Sequence, residues 1–194
     1  MYDIFLQYVA DYSGLTLTEH EIRLIADAFK PKKLRKRQYL LQEGDPCKYL
    51  SFINKGALRQ FTVDDKGNEH IVRFGIERWW MADYEAFISG TPSSYHIEAV
   101  EDSELLQVTK PGINALKISV PAINFMVDKM NQRSYITHQQ RIHSAISNTA
   151  EDRYTHLMET YPAFLQRFPQ NMIASYLGIS PETLSRIRKQ LAGK

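Results

Sequence analysis

Gln170-Asn171-Met172-Ile173-Ala174-Ser175-Tyr176-Leu177-Gly178-Ile179-Ser180-Pro181-Glu182-Thr183-Leu184-Ser185-Arg186-Ile187-Arg188-Lys189 has the spacing of a helix-turn-helix unit. Ala174 is small where two helices would cross closely. Gly178 stands where the chain must turn sharply, which glycine permits through a positive φ. Ile173, Leu177, Ile179, Leu184 and Ile187 fall where inner faces would be buried. Ser180 is a good N-cap and Pro181 a good first helical residue, so a second helix should start there. Its outward residues would be Glu182, Ser185, Arg186 and Lys189. Such a helix enters the major groove of DNA by its N-terminal end. There an arginine can donate two hydrogen bonds to guanine, and a glutamate can accept one from cytosine. Residues 181–194 hold four Lys/Arg and one acidic residue, a local charge of +3. The plain alternative is a helical hairpin that only caps the fold, with a solvated basic face. Few residues follow Arg188, so no wing hairpin is expected, and with it modest affinity and strong salt dependence.

Upstream of this unit, Pro121 to Ser147 has no glycine or proline after its first residue. That allows a helix of about 27 residues, roughly 40 Å at 1.5 Å per residue. Its N-terminal half carries an apolar stripe, Ile123, Met126, Val127 and Met130. Its C-terminal half sets Ile136, Ile142 and Ile146 among polar residues. A half-polar helix of this length is hard to bury in one chain, so pairing with a second copy is expected.

Further upstream, residues 32–109 read as short strands at roughly ten-residue spacing, the texture of a β-sandwich or roll. Tyr49 to Ile53 ends at the turn Asn54-Lys55-Gly56. Ala57 to Val63 and Glu69 to Phe74 flank the hairpin loop Asp64-Asp65-Lys66-Gly67-Asn68. Tyr95 to Val100 and Leu105 to Val108 alternate. The first thirty residues read as helical, with a capping box at Thr18 and Glu21 and a stop at Pro31. Six basic residues stand in the eight positions from Lys30 to Arg37. They read as a solvated strand whose charges guard an edge, or as a contact for a partner or DNA flank.

Composition narrows the classes. The chain has 194 residues, 43% hydrophobic and 24% charged, which is ordinary for a globular protein. No apolar run is long enough for a membrane span and no signal peptide is evident, so a cytoplasmic protein is expected. The single cysteine, Cys47, excludes an intrachain disulfide and a cysteine cage for zinc or iron–sulfur. The six histidines form no His-x-His or His-x-x-x-His pair, so no metal site is expected. The net charge of +2 means that nucleic-acid binding must come from a local patch. A metal-dependent enzyme on the roll would need paired histidines, and neither a P-loop nor a Gly-x-Ser-x-Gly elbow is present. No catalytic activity is expected.

Taken whole, the chain resembles the Crp/Fnr family of bacterial transcription regulators. The resemblance rests on Leu41-Gln42-Glu43-Gly44-Asp45, Ile53 to Arg59, Asp65 to Glu69 and Ala99 to Ser103 in the roll. In the tail it rests on Ala150 to Tyr154, Ile173 to Gly178 and Thr183-Leu184-Ser185-Arg186. It implies an α+β fold. A sensor of antiparallel β-roll (jelly-roll, cyclic-nucleotide-binding) type with flanking helices would span 1–118. A long dimerisation helix would span 119–148, and an all-α helix-turn-helix domain 149–194. It implies a sequence-specific DNA-binding regulator with a palindromic double-stranded site, a homodimer, RNA polymerase as a further partner and no membrane. The family's base-reading Glu and Arg fall on Glu182 and Arg186, with Ser185 on the same face. Asn171, Ser180, Thr183, Arg188 and Lys189 are the expected phosphate contacts and helix caps. A further basic base reader of some members is Pro181 here, so sequence preference should differ from theirs.

The sensor departs from the family's cyclic-AMP members. They hold the nucleotide with a Gly-Glu-Leu run and an Arg-Ser pair; here the region runs from Trp80 to Glu85 and from Thr91 to Tyr95. No Arg or Lys lies between Trp79 and Tyr95. A phosphate buried without a cation would be costly, so cyclic AMP is not expected as ligand. The family's adenine contacts on the long helix fall near His138-Gln139. Trp80, Met81, Asp83, Tyr84, Ser93, Ser94, Tyr95 and His138 form a candidate effector pocket, with core packing of the aromatic residues as the plain alternative. No cofactor is expected and the effector stays open. The competing functional class is a small-molecule (cyclic nucleotide included) sensor with weak or vestigial DNA binding.

Overall fold

The computed structural model describes residues 2–192. Helices α1 (Asp3–Ser13) and α2 (Glu19–Ala28) come first. Then follow β1 (Lys30–Leu34), β2 (Tyr39–Leu41), β3 (Tyr49–Lys55), β4 (Leu58–Val63), β5 (Glu69–Gly75), β6 (Trp80–Met81), the short α3 (Tyr84–Ser89), β7 (His96–Ala99) and β8 (Ser103–Thr109). The chain closes with α4 (Lys110–Ser119), α5 (Pro121–Ser147), α6 (Ala150–Thr160), α7 (Pro162–Arg167), α8 (Gln170–Leu177) and α9 (Pro181–Ala192). The strands form two four-stranded antiparallel sheets in the orders β1-β8-β3-β6 and β2-β7-β4-β5. This is the α+β fold expected from the sequence, with a β-roll followed by a long helix and a helical tail.

Local chemistry explains most boundaries. Thr18 and Glu21 make the capping box of α2, the Thr18 hydroxyl accepting from the Glu21 amide. Thr149 and Asp152 make a second one at the start of α6. Pro121 opens α5, which runs its full 27 residues. β1 carries the first half of the basic run, Lys30, Lys32 and Lys33, exposed at the edge of its sheet, and Arg35, Lys36 and Arg37 follow, exposed, in the turn after it. Gly56 turns the chain between β3 and β4 at φ 101°, and a Cβ there would sit 2.2 Å from the Ser103 hydroxyl. Three elements have no counterpart in the sequence pattern: β2, β6 and α3 are three, two and six residues long.

Each sheet is covered on both faces. The inner faces meet in a core of Leu34, Leu41, Ile53, Leu58, Met81, Ile97, Ala99 and Leu105. The outer face of the β3–β8 sheet, through Leu50, Phe52, Leu106 and Val108, packs against α1, α2, α4 and the N-terminal half of α5. The outer face of the β4–β5 sheet, through Phe61, Ile71 and Phe74, packs against Tyr154, Phe164, Phe168, Ile173 and Leu177 of the helical tail. Cover on both faces is why β3 and β4 are buried at nearly every position, the polar Ser51, Asn54, Arg59 and Gln60 included. The roll and the helix-turn-helix unit therefore share one apolar core.

Polar contacts reinforce that docking. Ser175 of α8 caps the free edge of β5, accepting from the Ile71 amide and donating to the Glu69 carbonyl, each at 2.9 Å. The Arg167 guanidinium bridges Glu77 at 2.5 Å and Glu101 at 2.7 Å, both on the roll. Trp79 lies edge-on to Tyr161 and Phe164.

Candidate nucleic-acid interface and effector region

The helix-turn-helix unit is built by its own short-range chemistry. Gly178 ends α8 at φ 68°, and its amide donates back to the α8 carbonyls. The Ile179 amide donates to the Ala174 carbonyl at 3.0 Å. Ser180 then caps α9, its hydroxyl accepting from the Thr183 amide at 3.2 Å. Ile173, Ala174, Leu177, Leu184 and Ile187 are buried between the helices and the neighbouring α6 and α7. Arg153 of α6 fastens the end of α8 by donating to the Leu177 carbonyl at 3.2 Å and to the Asn148 carbonyl at 2.9 Å.

That packing leaves one face of α9 to solvent. Glu182, Ser185, Arg186, Arg188 and Lys189 are exposed, as are Ser180 and, on α8, Asn171. Thr183 is half-buried because its hydroxyl works inside the turn, accepting from Arg186 at 3.1 Å. A hydrogen bond from Ser180 holds the Glu182 carboxyl below its ordinary value, so Glu182 is an ionised acceptor. An ionised acceptor and a guanidinium thus stand four residues apart at the N-terminal end of one exposed helix, with further cations behind them. The set can meet base edges with Glu182, Ser185 and Arg186 and phosphates with Arg188 and Lys189.

The residues nominated for an effector pocket do not converge. Trp80 points into the N-terminal core, against Phe5 and Phe52, and donates from Nε1 to the Tyr8 hydroxyl at 3.3 Å. Met81, the next residue on the strand, points the other way into the roll core. Trp79 joins the interface with the helical tail, and Phe87 the N-terminal core. Trp79, Trp80, Met81 and Phe87 are therefore divided among three cores, Trp80 and Met81 because successive strand residues face opposite sides. Tyr84 is exposed, 51% of its surface free.

Asp83, Ser93 and Ser94 are brought together, but to satisfy one another. Asp83 is buried and caps α3, accepting from the Ala86 amide at 3.2 Å. It also accepts from the Ser93 hydroxyl at 2.9 Å and the Ser94 amide at 3.1 Å. Ser93 accepts in turn from the Tyr95 amide at 3.1 Å. The chain's own carboxylate thus takes up the anion-seeking donors of this segment. Met81 also lines a cleft of about 330 Å³ between the sheets, whose polar wall includes Asp45, Lys48 and Gln107. His138 stands elsewhere, beside Arg73 and Arg141; burial first and then those two cations hold its imidazole below the usual value.

Comparison with known proteins agrees with this architecture. Residues 31–117 match the sequence model of the cyclic nucleotide-binding domain. The fumarate and nitrate reduction regulatory protein of Escherichia coli K12 is 25% identical over 184 residues, covering 89% of this chain and 73% of that protein. Regulatory protein HlyX of Actinobacillus pleuropneumoniae is 23% identical, covering 89% and 76%. Among solved structures, FixK2 from Bradyrhizobium japonicum superposes with a TM-score of 0.70 at 19% identity, over 85% of each chain. A CooA mutant from Carboxydothermus hydrogenoformans superposes at 0.71 and 14%, over 97% of this chain and 84% of that one. The roll thus matches a cyclic nucleotide-binding domain, and over about nine-tenths of its length the chain is similar to proteins named as regulators. These relatives are named as regulators rather than enzymes, and among the described residues no helix is long and apolar enough to cross a membrane.

Proposed function

We propose that the chain acts as a homodimeric, cytoplasmic, sequence-specific DNA-binding transcription regulator, without catalytic activity. The observation that carries it is the exposed face of α9, where Glu182, Ser185 and Arg186 project beyond a serine-capped N-terminus with Arg188 and Lys189 behind them. Dimerisation through α5 is supported by a second exposed stripe. Phe125, Tyr135, Ile142 and Ile146 are 52%, 67%, 58% and 80% exposed. With Asp128, Gln132 and Gln139 they alternate at spacings of three and four, the seam of a two-stranded coiled coil. A two-fold axis along α5 calls for a palindromic site with half-sites about one DNA turn, ~34 Å, apart. RNA polymerase is the further partner such a regulator addresses.

The roll is not a cyclic-AMP site on this reading. The segment between β6 and β7 supplies no cation, and the Asp83 carboxylate occupies the donors of Ala86, Ser93 and Ser94. A nucleotide phosphate brought there would meet a buried like charge. A second reading, a sensor with weak DNA binding, draws on the docking of α8 against β5. Selection of duplexes from a random pool by the purified chain separates the two. Enrichment of a palindrome is the expected result; a pool left unenriched by a chain that binds a small ligand tightly would favour the sensor.

A further inference from the structure

β5 carries a bulge. Gln60 pairs with Arg73 while Phe61 pairs with Ile71, which leaves Val72 as the extra residue. A bulge frees ladder groups and re-aims the side chains beside it. The freed Val72 carbonyl accepts from the Arg141 guanidinium of α5. That guanidinium also lies over the Tyr176 ring of α8, 4.5 Å from its centre. His138 is three residues earlier in α5, on the same helix face. Arg73 itself is half-buried, with Arg141, Tyr161 and Tyr176 as its electrostatic neighbours.

This corner lacks what the chain's other inward arginines possess. Arg59 is paired with Glu98 and Glu69, and Arg167 with Glu77 and Glu101. Among the described residues neither Arg73 nor Arg141 has a carboxylate in ion-pair reach. Two half-buried guanidiniums stand here with the exposed His138 imidazole at their rim; the like charges repel one another, and the two arginines have lost part of their solvation. Burial, then Arg141, makes Arg73 less basic than usual, and His138 is pushed the same way by burial and both arginines. An anion would relieve all three.

We propose that Arg73, Arg141 and His138 form a binding site for a small anion, its carboxylate or phosphate group held between β5 and α5 beside Tyr161 and Tyr176. The site joins the roll, the long helix and the helix-turn-helix unit at one point. An anion there replaces repulsion by charge-assisted hydrogen bonds and stabilises the arrangement in which the three segments meet. It is separate from the segment around Asp83, and it stands whether or not α9 reads DNA.

The test titrates the full chain with inorganic phosphate and, separately, with benzoate, at ionic strength held constant with chloride, by calorimetry and thermal unfolding. The expected result is saturable binding of at least one of the two with a rise in unfolding temperature. Saturation by phosphate alone assigns a phosphate ligand, and by benzoate alone a carboxylate. Arg73→Gln should weaken binding at least about tenfold. Because the Arg73 side chain donates no hydrogen bond among the described residues and sits in a repulsive cluster, the unliganded variant should unfold at the same temperature as the parent chain or higher. His138→Gln should retain binding but remove the part of the affinity that grows as pH falls from 8 to 6, where His138 takes up a proton in the complex. Absence of saturable binding by both anions, or full affinity in both Arg73→Gln and Arg141→Gln, would overturn the proposal.

Discussion

Asp83 is a buried carboxylate that its surroundings fully engage, with three donors converging on it from Ala86, Ser93 and Ser94. Such groups are costly to remove because the donors remain behind without an acceptor. Asp83→Ala should therefore destabilise the chain by about 2–4 kcal/mol, read as a lower denaturant midpoint at unchanged slope. Asp83→Asn keeps an acceptor and should cost less; equal midpoints for all three chains would contradict the role. Gly178 makes a different case. A Cβ there meets nothing within 4 Å, so Gly178→Ala should cost only the strain of φ 68°, about 1–2 kcal/mol. Residues whose partners lie within four positions were legible in the sequence: Thr18 with Glu21, Ser180 with Thr183, Gly178 at its turn. The capping role of Asp83 is not legible in the same way, because its partners Ser93 and Ser94 lie ten and eleven residues away, across a loop whose path no local pattern reveals. Ser175, which meets β5 more than a hundred residues away, gave no signal at all.

At the scale of elements, α5 does two jobs along one length. Ile123, Met126 and Val127 bury its first half against α1 and the roll, while Ile142 and Ile146 stay exposed in its second half. The exposed stripe has no cover within one chain. Replacing Ile142 and Ile146 together by Glu should convert a dimer to a monomer in sedimentation velocity while leaving the helical content nearly unchanged. A variant that sediments as the parent chain does would remove α5 as the seam. The same helix shows what sequence reads well, since 27 residues without a breaker define an element by themselves. β6 and α3 show the opposite. Two and six residues hold no period, and both exist because β3 and the Asp83 cap fix them in place.

Across the whole molecule, the roll and the helical tail are one packed body, joined by Phe74 stacked on Phe168 and by the ion bridge from Arg167 to Glu77 and Glu101. Sequence periodicity marked both partners as amphipathic but could not say that they cover each other, because that depends on where α5 returns the chain. The bridge makes the docking sensitive to acid. Burial pushes the Glu77 carboxyl up, but Arg167 outweighs it and holds the group below its ordinary value. A carboxyl depressed in the folded state contributes above its unfolded value of about 4.3 and loses that contribution as pH falls through the folded value. Acid should thus loosen the tail as pH falls below about 4.3, seen in the emission of Trp79, which packs on Tyr161 and Phe164. Arg167→Gln should lower stability near pH 7 and flatten that acid transition; a variant with the parent's pH profile would show that the bridge does not hold the tail.

The central claim is that the exposed face of α9 reads base pairs. The most direct measurement compares the affinity of the parent chain and of Arg186→Ala for the selected palindrome and for a scrambled duplex of equal composition, at one fixed salt concentration. The parent chain should prefer the palindrome by about a thousandfold or more. Arg186→Ala should lose about 1–3 kcal/mol of that preference and accept other bases at one position of each half-site. Equal affinity of the parent chain for the two duplexes, or an unchanged preference in Arg186→Ala, would contradict the account.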